Sequence, residues 1–325
     1  MKAPFPYFGG KARVADLVWQ ALGDCGHYIE PFCGSCAVLL ARPGHDPTKH
    51  VETVNDADGH LANVWRALQA APDEVAKWCD WPVNHADLMA RKKRLNANTE
   101  SLLEKLCKDD EYYDPLLAGY YIWAASCWIG SELICPNQIP HLGDGGRGVH
   151  AKGKIPHLAG GGKGVHAKGQ HGGIYEYFQQ LSARLRYVRV VCGDWSRVCG
   201  GDWQTGPGKP VGIFFDPPYG AAANRDPGIY AIDSLEVADK VRAWCIKRGE
   251  RADHRIVLAG YVDEHAAELQ AAGWRLHRWS ADGGYANTQR KAGSKARGKE
   301  NRHEEALWFS PYCECEKDLL SFAGE

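Results

Sequence analysis

Asp216-Pro217-Pro218-Tyr219 closes the apolar run Val211–Phe215 and groups a carboxylate, a stiffly held carbonyl and an aromatic face within four residues. An apolar run of that length reads as a buried strand of a parallel sheet, and open α/β sheets place ligands at the carboxyl ends of such strands. Two successive prolines neither continue a ladder nor start a helix freely, so the chain leaves the strand in a restricted direction. The set suits a planar ring bearing an exocyclic amino group. Asp216 and the carbonyl of Pro217 accept its two N–H donors, and Tyr219 stacks on the ring. Taken alone, the tetrapeptide could also arise by chance as a strand followed by a turn.

The amino terminus adds context. Pro6-Tyr7-Phe8-Gly9-Gly10-Lys11 leads into an amphipathic segment, Lys11 to Leu22, and Tyr28-Ile29-Glu30-Pro31-Phe32-Cys33-Gly34-Ser35 reads as strand, tight turn and helix start. Small residues in such a turn let a ligand approach the backbone, and the helix beyond offers free N–H groups. About twenty residues on, Val54-Asn55-Asp56 ends the next strand with an acid placed to hold ribose hydroxyls.

In that order, these motifs resemble those of the Dam-type DNA adenine methyltransferases. That S-adenosylmethionine-dependent family runs FGGK, EPFxGxG, an acidic ribose ligand, a target-recognition insert and DPPY. The similarity spans Pro4 to about Asp58 and again about Tyr187 to Pro311. It implies an α/β fold, a class I methyltransferase (Rossmann-like) and mostly parallel sheet with an inserted helical domain. Residues 1–66 and 172–325 would form the cofactor-binding catalytic domain, and 67–171 the target-recognition insert. The resemblance assigns cofactor contacts to Tyr7, Phe8, Gly9 and Lys11, to Glu30, Phe32, Gly34 and Ser35, and to Asp56, Asp194, Trp195 and Asp216. It assigns catalysis to Asp216, Pro217, Pro218 and Tyr219. Cys36 departs from the pattern, standing where the family most often has glycine, although cysteine is small and apolar enough to pack there. Cys33 and Cys36 also resemble a redox or zinc fragment, but no second Cys-x-x-Cys completes a metal site and no metal is expected.

The reaction so implied is transfer of the methyl of S-adenosylmethionine to the 6-amino group of a flipped adenine, leaving S-adenosylhomocysteine. Two alternatives stay open at this point: cytosine N(4)-methylation, and a catalytically silent DNA- or cofactor-binding module. The implied partner is DNA, taken as a duplex, with a cognate restriction nuclease as a further partner and a monomer or weak dimer as the state.

Composition is compatible with this reading. The 325 residues are 44% hydrophobic, enough for a large core, and carry a formal net charge of −1. No apolar stretch could span a bilayer and no signal peptide is recognisable, so a cytoplasmic protein of a bacterium or phage is expected. The twelve cysteines are scattered singly, as reduced thiols would be.

At net charge −1, DNA binding requires the basic residues to be segregated. Residues 139–154 recur as 155–170 with 12 of 16 positions identical, and the two copies hold five Lys or Arg and ten Gly against one acid, Asp144. Such a segment builds no core of its own. It reads either as a basic loop whose Arg147, Lys152, Lys163 and Lys168 meet phosphates, or as a duplication tolerated at the surface. A second run, Arg290, Lys291, Lys295, Arg297 and Lys299, reads as a backbone clamp or as a solvated loop. Apolar spacing predicts helices over Asp58–Ala71, Asp87–Cys107, Pro115–Gly130, Ser234–Gly249 and Asp263–Ala272, with strands over His254–Ala259, Trp274–Ser280 and Glu304–Ser310. The aromatics Tyr120, Tyr121, Trp123 and Trp128 are expected in the core.

Overall fold

Successive side chains of the central strands face opposite sides of the sheet, and that alternation divides the core into two layers. The computed structural model describes residues 1–7, 9–81, 84–127, 173–200, 209–218, 236–279 and 305–314. Its strands are β1 (His27–Glu30), β2 (Val51–Asp56), β3 (Val188–Cys192), β4 (Val211–Phe215), β5 (His254–Tyr261), β6 (Arg275–Arg278) and β7 (Glu305–Phe309). They form one sheet in the order β3-β2-β1-β4-β5-β7-β6. The first five in that order are parallel, and β7 runs antiparallel to both β5 and β6. This is the mostly parallel α/β sheet that the sequence implies.

The helices are α1 (Ala15–Leu22), α2 (Ala37–Leu40), α3 (Gly59–Ala70), α4 (Pro72–Cys79), α5 (His85–Lys108), α6 (Pro115–Cys127), α7 (Gly173–Leu185), α8 (Val237–Gly249) and α9 (Val262–Ala271). Tyr28, Phe214, Val257 and Leu307 point into one core layer with α1 and α3–α7, while Ile29, Phe215, Leu258 and Trp308 point into the other with α8 and α9. A strand buried on both faces has no polar side to alternate with, which is why β4 reads as an unbroken apolar run.

Local sequence accounts for the helix ends. Asp58 caps α3, accepting from the amide of His60 at 2.8 Å, and Asn84 caps α5, accepting from Asp87 at 2.8 Å. The first helix begins at Ala15, later than the amphipathic segment, because residues 12–14 form a turn that leads from Lys11. Helix α6 is apolar on every side and is enclosed by α3, α4 and α5. Tyr121 and Trp123 are buried in it and Tyr120 is partly buried, whereas Trp128 lies outside the described residues. Gly119 is needed at the α4–α6 crossing, since a Cβ there would come within 2.5 Å of the Cβ of Trp78.

The chain steps from β1 outward to β2 and β3, then returns to β4 on the opposite side of β1. Crossovers leave the sheet in opposite senses at that point, and a crevice opens above the strand ends.

Candidate active site

The carboxyl ends of β3, β2, β1 and β4 surround a cavity of about 270 Å³. The turn after β1 is the tightest part of its wall. Cys36 donates its amide to the carbonyl of Cys33, and Gly34 and Cys36 both adopt positive φ, +45° and +50°. Gly34 has a second constraint: a Cβ there would lie 2.6 Å from the ring of Tyr7. Cys36 is the only non-glycine residue with positive φ among those described. An L side chain in this region costs roughly 1 kcal/mol, so the turn keeps the conformation that glycine would adopt freely. Both Cys33 and Cys36 are buried, and burial pushes the Cys36 thiol up to about 11.

Three neighbours hold this turn. Trp65 of α3 donates its indole N–H to the carbonyl of Gly34 at 2.9 Å, and the amide of Cys33 donates to the carbonyl of Asn55 at 2.9 Å. Asp56 takes the third position. Its Oδ2 accepts from the amide of Gly34 and its Oδ1 from the amide of Asp58, each at 2.9 Å. Burial, helped by the charge of Asp58, pushes the Asp56 carboxyl up to about 7, and burial alone pushes Asp58 to about 6.

Lys11 spans two motifs that lie far apart in the chain. Its Nζ is 2.9 Å from Asp216 Oδ1 and 2.8 Å from the carbonyl of Gly9, so the glycine turn is tied to the end of β4. Lys11 itself is 5% exposed, and a charge buried to that degree needs such a partner. Burial raises the Asp216 carboxyl above the usual carboxylate range, and the Lys11 ammonium opposes that rise.

Glu30 also borders the cavity, but its Oε2 is taken up by the hydroxyl of Tyr28 at 3.0 Å and the amide of Leu39 at 3.2 Å. Its role is to hold α2 against β1, and burial pushes its carboxyl to about 8. On the opposite wall the rings of Phe32 and Trp195 stack with centroids 6.5 Å apart. Trp195 also packs edge-on to Phe215 and Trp244. Asp194 caps the short turn that follows, accepting from the amide of Ser196 at 2.9 Å.

The cavity therefore gathers Tyr7, Gly9, Lys11, Glu30, Phe32, Gly34, Ser35, Asp56, Asp194, Trp195, Asp216 and Pro218 from the residues singled out in the sequence. Pro217 is buried beside them. Phe8 and Tyr219 lie outside the described residues, as do Arg147, Lys152, Lys163, Lys168, Arg290, Lys291, Lys295, Arg297 and Lys299. The structure adds Asn55, Asp58, Val237 and Lys240 to the lining. Asp58 had a signal, since an acid just before an apolar periodic run is an N-cap pattern. Lys240 had none, because only the packing of α8 carries it to the cavity.

Among the described residues no three His, Cys, Asp or Glu side chains gather as a metal ion would require, and no helix is long and apolar enough to cross a membrane. Residues 7–116 match the family model of the D12 class N6 adenine-specific DNA methyltransferases. A search of curated proteins gave no match.

Proposed function

We propose that this chain is a D12-class N6 adenine-specific DNA methyltransferase and methylates the 6-amino group of an adenine flipped out of a DNA duplex. Bound S-adenosylmethionine supplies an electrophilic methyl group on a sulfonium. The residues present suit that cofactor. Asp56 offers carboxylate acceptors for ribose hydroxyls, the turn at Gly34 lines the cavity beside Tyr7, and Phe32 and Trp195 give an apolar wall for a purine.

The observation that carries the reading is the Lys11–Asp216 pair, 2.9 Å apart within the cavity. Lys11 opposes the effect of burial on Asp216 and favours the carboxylate form. That carboxylate accepts an N–H of the target amino group and faces the positive charge that develops on its nitrogen. The carbonyl of Pro217 accepts the other N–H, drawing the nitrogen lone pair out of conjugation, and Tyr219 replaces the lost stacking. Residues 67–171 serve as the target-recognition part, and the basic residues at 147–168 and 290–299 meet the phosphate backbone.

Incubating the purified chain with methyl-tritiated S-adenosylmethionine and unmethylated DNA, followed by modified-base detection, tests this directly. N6-methyladenine is expected, and Asp216→Ala should reduce its rate by about a hundredfold or more, the usual cost of losing one preorganised electrostatic partner. N4-methylcytosine as the product would reassign the target base. Cofactor and DNA binding without any transfer would make the chain a silent module.

A further inference from the structure

Asn55 precedes the acid Asp56 and has no role assigned to it above, yet it joins two loops. It lies near the end of β2, between β1 and β3, opposite Val191 in the parallel register, and is 1% exposed. Its side-chain Nδ2 donates to the carbonyl of Pro31 at 2.9 Å and to the carbonyl of Gly193 at 3.0 Å. Its own carbonyl accepts the amide of Cys33. One residue thus fastens the loop after β1 to the loop after β3, across the strand that separates them.

The backbone does not make this link unaided. Pro31 has no N–H to donate, and the amide of Gly193 is engaged by the carbonyl of Asp56 at 3.0 Å. A planar group with two donors, reaching sideways from β2, satisfies both carbonyls together. Those two carbonyls also fix the orientation of the amide, since turning it over would set oxygen against oxygen. Oδ1 is then buried with no hydrogen-bond partner among the described residues. An apolar residue would avoid that desolvated acceptor, so the asparagine is a poor choice for packing alone.

We propose that Asn55 is a positioning residue that holds together the aromatic wall of the cofactor slot; this rests on the cofactor reading given above. Its side chain acts through these two partners. Pro31 leads directly to Phe32, and Gly193 leads directly to Asp194 and Trp195, so the two hydrogen bonds hold the stacked rings and the adjacent acid in register.

The test measures cofactor affinity, DNA affinity and turnover separately on the full chain. Asn55→Ala removes both bonds, and Asn55→Asp keeps the shape while turning an acceptor toward both carbonyls. Calorimetry should show Kd for S-adenosylmethionine rising about tenfold for Asn55→Ala, the equivalent of one lost hydrogen bond, and further for Asn55→Asp. Duplex DNA should bind within about twofold of wild type, and kcat at saturating cofactor should hold within about threefold, because a uniform binding loss leaves kcat intact. The proposal is overturned if both folded variants bind cofactor like wild type, if DNA affinity falls in parallel, or if neither variant folds at 25 °C. A wild-type chain that binds no S-adenosylmethionine would instead overturn the function on which the proposal rests.

Discussion

Asp56 meets two demands at once. Its oxygens accept the amides of Gly34 and Asp58, which shapes the pocket wall, and the same oxygens retain lone pairs for a ligand. Burial raises its carboxyl to about 7, so near neutral pH the free protein holds it partly protonated. Hydroxyl donors from a bound ribose favour the carboxylate, so binding lowers this pKa and releases a proton. Linkage then fixes the sign: cofactor affinity should rise as pH increases through about 7 and level off above it. Calorimetry in buffers of different ionisation enthalpy would register the released proton. Asp56→Asn should bind more weakly and lose the rise, while Asp58, at about 6, contributes only to the acidic edge of the curve. A profile equally steep in Asp56→Asn would assign the titration to another group.

Among the elements, β2 and α7 are joined by a buried ion cluster that no motif announces. Glu52 is 1% exposed, receives two bonds from Arg184 at 2.6 and 2.9 Å, and receives a third from Arg42 at 3.2 Å. Arg184 also reaches the carbonyl of Leu39, so the cluster anchors α2 as well. Glu52→Gln would leave two guanidinium groups facing a neutral amide, and breaking a buried pair in this way costs about 3–5 kcal/mol. Urea denaturation should show that loss as a lower midpoint at unchanged slope. The cluster also marks where sequence reading stops. Residues whose role is local were legible: the apolar run of β4, the glycine turn before Lys11, the acid at Asp56 and the long helices α3, α5 and α6 all declare themselves by spacing or type. Helix α4 also carries a local start signal, with Pro72 in its first turn and Asp73 and Glu74 beside it. Pairings across more than a hundred residues, such as Arg184 with Glu52 or Asn55 with Gly193, follow from the order of strands in the sheet, and no local pattern encodes that order.

For the whole molecule, the question is how a chain of net charge −1 holds a polyanion. Near neutrality excludes a uniformly positive surface, so the attraction must come from a few segments in which cations outnumber acids. The duplicated segment 139–170 is one of these, with five Lys or Arg against Asp144 alone. Each phosphate that such a cation neutralises releases condensed counterions, and the slope of log affinity against log salt counts those contacts at about 0.9 each on duplex DNA. Neutralising Arg147, Lys152, Lys163 and Lys168 together should therefore weaken binding equally on every sequence and flatten the slope by up to about 3.6. Removing residues 155–170 alone should flatten it less, because the first copy retains Arg147 and Lys152. Fluorescence anisotropy across a salt series reads both outcomes. A slope unchanged in the quadruple variant, with its melting transition intact, would mean that the duplication is carried without touching DNA. The run from Arg290 to Lys299 would then be left as the basic segment to test by the same slope.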